Sequence, residues 1–524
     1  MKGGHRSFNL SLSISFAVIF LALVSWLLKV LYSLWWKPKS LERYLKTQGI
    51  HGPSYKFMYG NTKDIMELRI KARSRPAIGL SHDIRAHVNP FVYQTMINYG
   101  KVFLNWLGPT PELVVMDQKL INEILTNNTG DFQKIINITP SLKLLTNGLP
   151  HYDGDKWAKH RRILNPAFHI EKLKQMLPAF ITCCDELITK WEEMVSRKGS
   201  CELDVAPELQ TLSGNAISLA AFGSSFKEGR RILELQKEQF KLFMRGLYSG
   251  KSIKSRFIPT KESKRMVEIY EEIRTLFREF IEMRKKSFRT GNTNNNDLLG
   301  LLLESNLNEE LNYSKSGTLT MDDVIEECKA FYSAGQLTTA DLLTWTMIVL
   351  SMHPNWQERA REEVLQVIGN KKPSFDDLNH LKIVTIIFYE VLRLYPPTSL
   401  VRRTWKTTTK LGDFSLPANT QIMIPLVFVH RDTEQIGDDA NEFNPERFSE
   451  GISRASKDQA SYFPFSGGPR VCIGKNFALL EAKIALTNIL QHFSFELSPT
   501  YTHSPSSLPT LGPQHGAQII LHKL

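Results

Sequence analysis

The ten residues Phe465-Ser-Gly-Gly-Pro-Arg-Val-Cys-Ile-Gly474 constrain this chain more than any other stretch. Gly467, Gly468 and Pro469 let the backbone bend around a flat ligand, and Cys472 sits in the bend. The segment 475–490 after Gly474 reads as a helix. Its positive end and the backbone N–H groups around the sulfur would stabilise a thiolate. Arg470, two residues before the cysteine, is placed to reach a ligand carboxylate. Most lone cysteines are inert buried hydrophobes. Five specified positions in ten residues, however, match by chance on the order of once in ten thousand chains, so the segment reads as a thiolate loop.

The other four cysteines are Cys183, Cys184, Cys201 and Cys328, with no CxxC pair. Neither a disulfide framework nor a zinc site is expected on that spacing, and a reducing compartment fits better. With 524 residues, 42% hydrophobic and 23% charged, the chain can bury a large core. Its formal charge of +12 suits an anionic membrane surface, nucleic acid or an acidic protein partner.

From Ser7 to Leu28 no residue is charged. As a helix this run is about 33 Å long, enough for a bilayer core of about 30 Å. There is no small-residue cleavage site, and the run continues through 30–36 to the interfacial pair Trp35 and Trp36, so a retained anchor is expected. Lys29, Lys37, Lys39, Arg43 and Lys46 outnumber Lys2 and Arg6, which puts the following domain in the cytosol and leaves the sequons at Asn127, Asn137 and Asn312 unglycosylated. The expected organisation is an anchor over 1–36, a basic, proline-containing hinge over 37–60 and a catalytic domain over 61–524.

Helical periodicity dominates the domain, over 203–222, 267–285 and from Met321 onward. Strands are expected at 103–107, 113–116 and 420–425, and polar loops at 289–297 and 305–320. The fold class is mainly α with small β-sheets. The basic run Lys251, Lys254, Arg256, Lys261, Lys264 and Arg265 has no interleaved aromatics and reads as a solvated face, so no nucleic-acid partner is expected.

Thr320-Met-Asp-Asp323 resembles a capping box opening a helix that runs to about Met352. Inside it lies Ala334-Gly-Gln-Leu-Thr-Thr339. Gly335 lacks bulk, and the Thr338 and Thr339 hydroxyls can bond back to the preceding turn, so the helix is expected to open here beside a flat cofactor.

The loop around Cys472 resembles the cytochrome P450 signature F-x-x-G-x-R-x-C-x-G. Further motifs follow in the family's order. Glu390-Val-Leu-Arg393 and Arg447 of Pro445-Glu-Arg-Phe448 match the E-x-x-R pair and its third partner, to which the family gives structural roles. Trp157-Ala-Lys-His-Arg161 matches W-x-x-x-R, whose side chains reach a haem propionate. Arg403 is a further propionate candidate by position, with Arg402 beside it. The resemblance implies the P450 fold and a haem b cofactor, iron protoporphyrin IX, with Cys472 as its axial ligand. Phe465, Arg470 and Gly474 would complete its binding, and Ala334, Gly335, Thr338 and Thr339 the oxygen-handling site. A thiolate ligand pushes electron density onto haem iron and favours O–O cleavage.

Wording such as Gln48-Gly-Ile-His-Gly-Pro53, Ile325-Glu-Glu-Cys-Lys329 and Pro513-Gln-His-Gly516 is similar to the plant branch that includes secologanin synthase, triterpenoid oxidases and a gibberellin 13-oxidase. That likeness implies a monooxygenase on the endoplasmic reticulum membrane, single-pass, with a cytosolic catalytic domain. It would take electrons from NADPH through NADPH–cytochrome P450 reductase and use O2 to hydroxylate a small hydrophobic isoprenoid (triterpenoid, diterpenoid, iridoid or steroid). The pocket would be walled by 144–149, Phe331, Ala334, 398–401 and 508–511.

The chain departs from the family at Leu337, where an acid that helps relay protons is usual. Three consequences are open: Thr338, Thr339 and Gln336 position water instead; coupling is poor and peroxide leaks; or the protein is a haem-thiolate isomerase or dehydratase acting on a hydroperoxide. Asp341, three residues after Thr338, would replace the acid only in a distorted helix. Ile436-Gly437 and Ser466-Gly467-Gly468 also stand where the branch usually carries a tryptophan.

Overall fold

The computed structural model describes residues 4–524 except 75–78, 128–129, 135–139, 146, 197–198, 224–225, 249–260, 290–296, 311–318, 407–408, 459–460 and 508. Outside the described residues lie the sequons at Asn137 and Asn312, the basic residues Lys251, Lys254 and Arg256, most of the polar loops at 289–297 and 305–320, and Leu508.

The architecture is organised around the helix Met321–Met352, buried on nearly every face, as expected of a helix through the middle of a domain. It starts where Thr320 Oγ1 accepts from the Asp323 N–H and Asp323 accepts from the Thr320 N–H, a reciprocal capping box. It ends at His353, because Pro354 opens the next helix. The helix Val205–Phe222 packs closely along it. A Cβ on Gly335 would lie 3.0 Å from Ile217 Cδ1 of that helix, so the glycine serves helix-to-helix approach. The expected local opening does not occur. The helix is continuous through 334–339, and Thr338 Oγ1 donates to the Ala334 carbonyl at 2.7 Å within the intact ladder.

The sheets are small. The largest has the order Val102–Leu107, Thr110–Val115, Gln421–Ile424, Val401–Trp405, Phe132–Gln133, with one parallel pair between its second and third strands. The strands expected near 103, 113 and 420 are its first three. The helix expected from 203 begins instead at Val205, because Ser200–Asp204 pairs with the distant strand Gln518–Lys523 and Asp204 caps the helix. Local periodicity cannot announce a partner three hundred residues away.

At the amino end, Gly4–Leu31 is α-helical, Tyr32–Trp36 forms a π-turn, and helix resumes over Lys37–Thr47. The stretch expected as a hinge is therefore helical in its first part, with Pro38 tolerated at the second position of that helix. Ile14–Thr47 is long and apolar enough to cross a membrane, and its apolar window is not buried against the protein. Tyr55 donates to the Leu34 carbonyl at 2.5 Å and its ring lies 6.2 Å from that of Trp35, docking the end of the apolar helix on the domain.

Candidate active site

The thiolate loop owes its shape to two left-handed residues, Ser466 and Gly468. A Cβ on Gly468 would fall 1.9 Å from the Leu125 carbonyl oxygen, so no other residue fits without moving the helix Gln118–Thr126. Cys472 N–H donates to the Phe465 carbonyl at 2.8 Å, which closes the loop. Helix Lys475–His492 starts immediately after Gly474. Burial pushes the Cys472 thiol up, and the Gly474 N–H, Arg161 and Lys475 offset only part of that rise.

Cys472 forms part of the wall of a cavity of about 370 Å³. Ala330, Phe331, Ala334, Thr338 and Leu342, all on one face of the long helix, form another part. Leu149, Leu400 and Val401 add apolar lining and Thr398 a hydroxyl-bearing one, as expected for the pocket, whereas Pro509 and Leu511 of the expected 508–511 wall do not line it. Gly335 and Thr339 are not on this wall: Gly335 faces Ile217, and Thr339 is buried with no partner for its hydroxyl among the described residues. Gly474 also lies off the cavity, and its part is the N–H directed at the sulfur.

The cavity has a cationic rim. Lys134, Arg161, Arg402, Arg403 and Arg470 all line it, with Trp157 and Phe465, and among the described residues no carboxylate does. Arg161 donates to the Val471 carbonyl at 2.8 Å. Arg470 pairs with Asp153, donates to the Tyr152 carbonyl at 2.7 Å and stacks 4.0 Å from the Trp157 ring. Burial, then Arg403 and Arg470, push Lys134 down to about 7. Burial and then Arg470 push Arg403 down to about 10, and Asp153 opposes both shifts. Arg402 and Arg403 both reach the cavity but differ in partners: Arg403 is buried on the strand Val401–Trp405, whereas Arg402 is half-buried and its guanidinium donates to Glu112 at 3.0 Å.

These crowded cations beside a sulfur ligand form a donor set for a flat dianion carrying a metal. Haem with its two propionates fits. Cys472 would bind its iron, and Lys134, Trp157, Arg161, Arg403 and Arg470 would hold its carboxylates. Lys134 was not legible in the sequence: it is a single lysine before an apolar run, with no motif around it.

Two buried ion-pair systems hold these walls. Arg393 pairs with Glu390 through two contacts of 2.7 Å and donates to the His430, Ala440 and Glu442 carbonyls. Arg447 lies 3.8 Å from Glu390 and 2.6 Å from Asp439, so the expected triad is assembled. The second system was not foreseen. Glu327 on the long helix bonds His160 at 2.6 Å and accepts from the Leu149 N–H at 3.1 Å. It thereby ties the helix of Trp157 and Arg161 to the helix of Thr338. Asp341 faces the Leu511–Pro513 strand, not the cavity, and burial pushes it up to about 7.

A loop cysteine, a cationic rim and a long helix across one pocket together fit a haem that the cysteine and the rim would hold. The family model for Cytochrome P450 matches residues 72–520, and the chain belongs to that family of monooxygenases. It is 50% identical over 97% of its length to cytochrome P450 CYP72A616 of Paris polyphylla, covering 98% of that protein. It is 51% identical over 95% of its length to cytochrome P450 72A397 of Kalopanax septemlobus, covering 96% of that protein. With the 11-oxo-beta-amyrin 30-oxidase of Glycyrrhiza uralensis it shares 49% identity, over 97% of both chains.

Proposed function

We propose that this monooxygenase carries haem b and hydroxylates a plant isoprenoid, with electrons from NADPH delivered by NADPH–cytochrome P450 reductase. The observation that carries the reading is the apolar wall of Phe331, Leu342, Leu400 and Val401 in the same cavity as Cys472. A relative of the same length is named for oxidising an amyrin derivative, which favours a triterpenoid over an iridoid, diterpenoid or steroid. When bound, haem supplies the activation of O2 and the oxidation of a C–H bond, one oxygen atom going to the product and the other to water.

The protein's own residues bind, orient and protonate. Thr338 has the one hydroxyl on the long-helix wall of the cavity, and it would deliver the proton that oxygen cleavage consumes. The apolar walls exclude bulk water, limiting peroxide loss. The exposed apolar helix would anchor the protein in the endoplasmic reticulum membrane with the domain in the cytosol, where the charge of +12 suits an acidic reductase surface.

The test is turnover in microsomes containing this protein and a plant reductase, with triterpenoids, gibberellins and iridoids offered in turn. An NADPH-dependent hydroxylated product with a normal carbon monoxide difference spectrum is expected. Product formed without NADPH would overturn the reading in favour of an isomerase or dehydratase.

A further inference from the structure

The first turns of the long helix carry Glu326 and Glu327 side by side, and their carboxyl groups face different elements. Glu326 turns to the helix Lys261–Arg289, where Tyr270 donates to it at 3.0 Å and Arg274 lies 3.3 Å away. Glu327, about 100° further round, lies on the stripe that continues through Phe331, Ala334 and Thr338 along the cavity. It stands one turn before that stripe reaches the cavity, about 16 Å along the axis from Thr338.

Glu327 is fully buried, and each of its oxygens serves a different segment. Oε1 bonds His160 Nδ1 at 2.6 Å, on the helix Gly154–Leu164 that carries Trp157 and Arg161. Oε2 accepts from the Leu149 N–H at 3.1 Å, at the start of the segment 148–153. Gly148 permits that approach: its φ is +91°, and a Cβ on it would lie 3.1 Å from Oε2. The same segment holds two more of the rim cations. The Tyr152 carbonyl and the Asp153 carboxylate anchor Arg470, and Asp153 also accepts from the Lys134 N–H at 2.8 Å.

A second set of contacts closes on His160 from outside. Its Nε2 lies 3.7 Å from Asp323, Asp323 pairs with Lys156 at 2.9 Å, and Lys156 Nζ stands 4.1 Å from the centre of the Tyr152 ring. That ring meets His160 edge-on at 4.7 Å. The helix of Trp157 and Arg161 therefore cannot slide along the long helix without breaking several contacts at once. A carboxylate buried this deeply is costly even when both oxygens are used, and the packing of two helices needs no such charge.

We propose that Glu327 and His160 are positioning residues for the haem. Together they set where Trp157, Arg161 and Arg470 grip the propionates, in register with Thr338 further along the same stripe. Neither touches haem or substrate; they act through the rim, as outer partners orient the ligands of a metal. Contacts within the rim alone would leave it free to shift as a unit against the long helix, and Glu327 removes that freedom. The inference rests on the haem of the proposed function and is independent of the substrate.

The test uses the purified, haem-loaded full chain without substrate. The resonance Raman band of propionate bending reports how the carboxylates are held, haem transfer to excess apomyoglobin reports how fast it is lost, and the unfolding midpoint reports stability. Glu327→Gln and His160→Phe should each shift the band and speed haem transfer about tenfold. The phenylalanine keeps a ring against Tyr152 and removes only the hydrogen-bonding nitrogens. The double variant should be little worse than either single one, because both break the same link. His160→Asn, whose amide N–H can stand near the place of Nδ1, should restore most of the band and the slower transfer. Glu326→Gln is the control: buried on the same turn but directed at the other helix, it should lower the midpoint and leave band and transfer rate unchanged.

A lowered midpoint in Glu327→Gln and His160→Phe with an unchanged propionate band and transfer rate would overturn the inference and leave the pair a structural role only. So would a Glu326→Gln variant that shifts the band as much as Glu327→Gln. If Glu327→Gln fails to accumulate as haem-loaded protein, the two His160 variants decide: rescue by asparagine supports the proposal, and equal behaviour of asparagine and phenylalanine overturns it. An unsubstituted chain that binds no haem would overturn the haem reading itself, before any variant is compared.

Discussion

Gly468 lies against the carbonyl oxygen of Leu125 so closely that a Cβ there would sit 1.9 Å from it. The contact seats the thiolate loop on the end of the helix Gln118–Thr126, and the glycine's φ of +61° adds a second demand for glycine. Gly468→Ala should therefore abolish the carbon monoxide difference spectrum. Gly467→Ala, whose Cβ would meet the flexible Leu125 Cδ1 at 3.3 Å and Leu125 Cβ at an ordinary 3.6 Å, should retain most of it. Haem content per mole of purified protein measures both.

The Glu390–Arg393 pair is wholly buried, and its carbonyl partners lie on the segment before the thiolate loop. Removing one member leaves the other charge unpaired in the core, at a cost of about 3–5 kcal/mol. Glu390→Gln should lose folded, haem-loaded protein, measured as the ratio of haem absorbance to total protein. Arg447→Lys, at the longer 3.8 Å separation, should lose much less.

Lys134 is pushed down to about 7 by burial and by Arg403 and Arg470. A propionate beside it would restore its proton, so binding should take up a proton and weaken as pH rises above about 7. Haem titrated into apoprotein should bind more tightly at pH 6 than at pH 8.5. In Lys134→Ala affinity should fall overall and lose most of this pH dependence.

Glu481 accepts from Ser213, keeps its second oxygen unpaired in full burial, and is pushed up to about 8. Cys183 and Cys184 beside it are also raised by burial and stay neutral. The folded state therefore holds a proton that the unfolded chain releases above its ordinary pKa of 4.5. Stability from this group is greatest at low pH and falls as pH rises from there to about 8, by at most about 1.4 kcal/mol per unit. Glu481→Gln should flatten that slope, which thermal unfolding midpoints between pH 5.5 and 8.5 would measure.

How much was legible depended on the range over which each feature acts. The Thr320–Asp323 box, the Glu390–Arg393 pair and the Phe465–Gly474 loop join residues within a few positions, so spacing announces them. Gly335 was read as the place where the long helix opens beside a cofactor, but the helix is continuous there and the missing side chain makes room for Ile217 of a helix more than a hundred residues earlier. The His160–Glu327 bond spans 167 residues and has no local mark. Lys134 and Arg403 come from opposite ends of the domain and become partners in one rim only when the sheet is assembled.

By itself the sequence determined the apolar amino-terminal helix, the predominance of helix and the cysteine loop, because hydrophobic runs, periodicity and turn chemistry act over neighbouring residues. Only the tertiary structure decided which face of the long helix each side chain serves. Leu337 and Thr338 are adjacent in the chain, but the turn of the helix sends one to a cationic cavity and the other to the cavity of Cys472. What stands opposite a helical residue depends on packing, which brings the lysines of one distant helix or the cysteine loop of another segment against it.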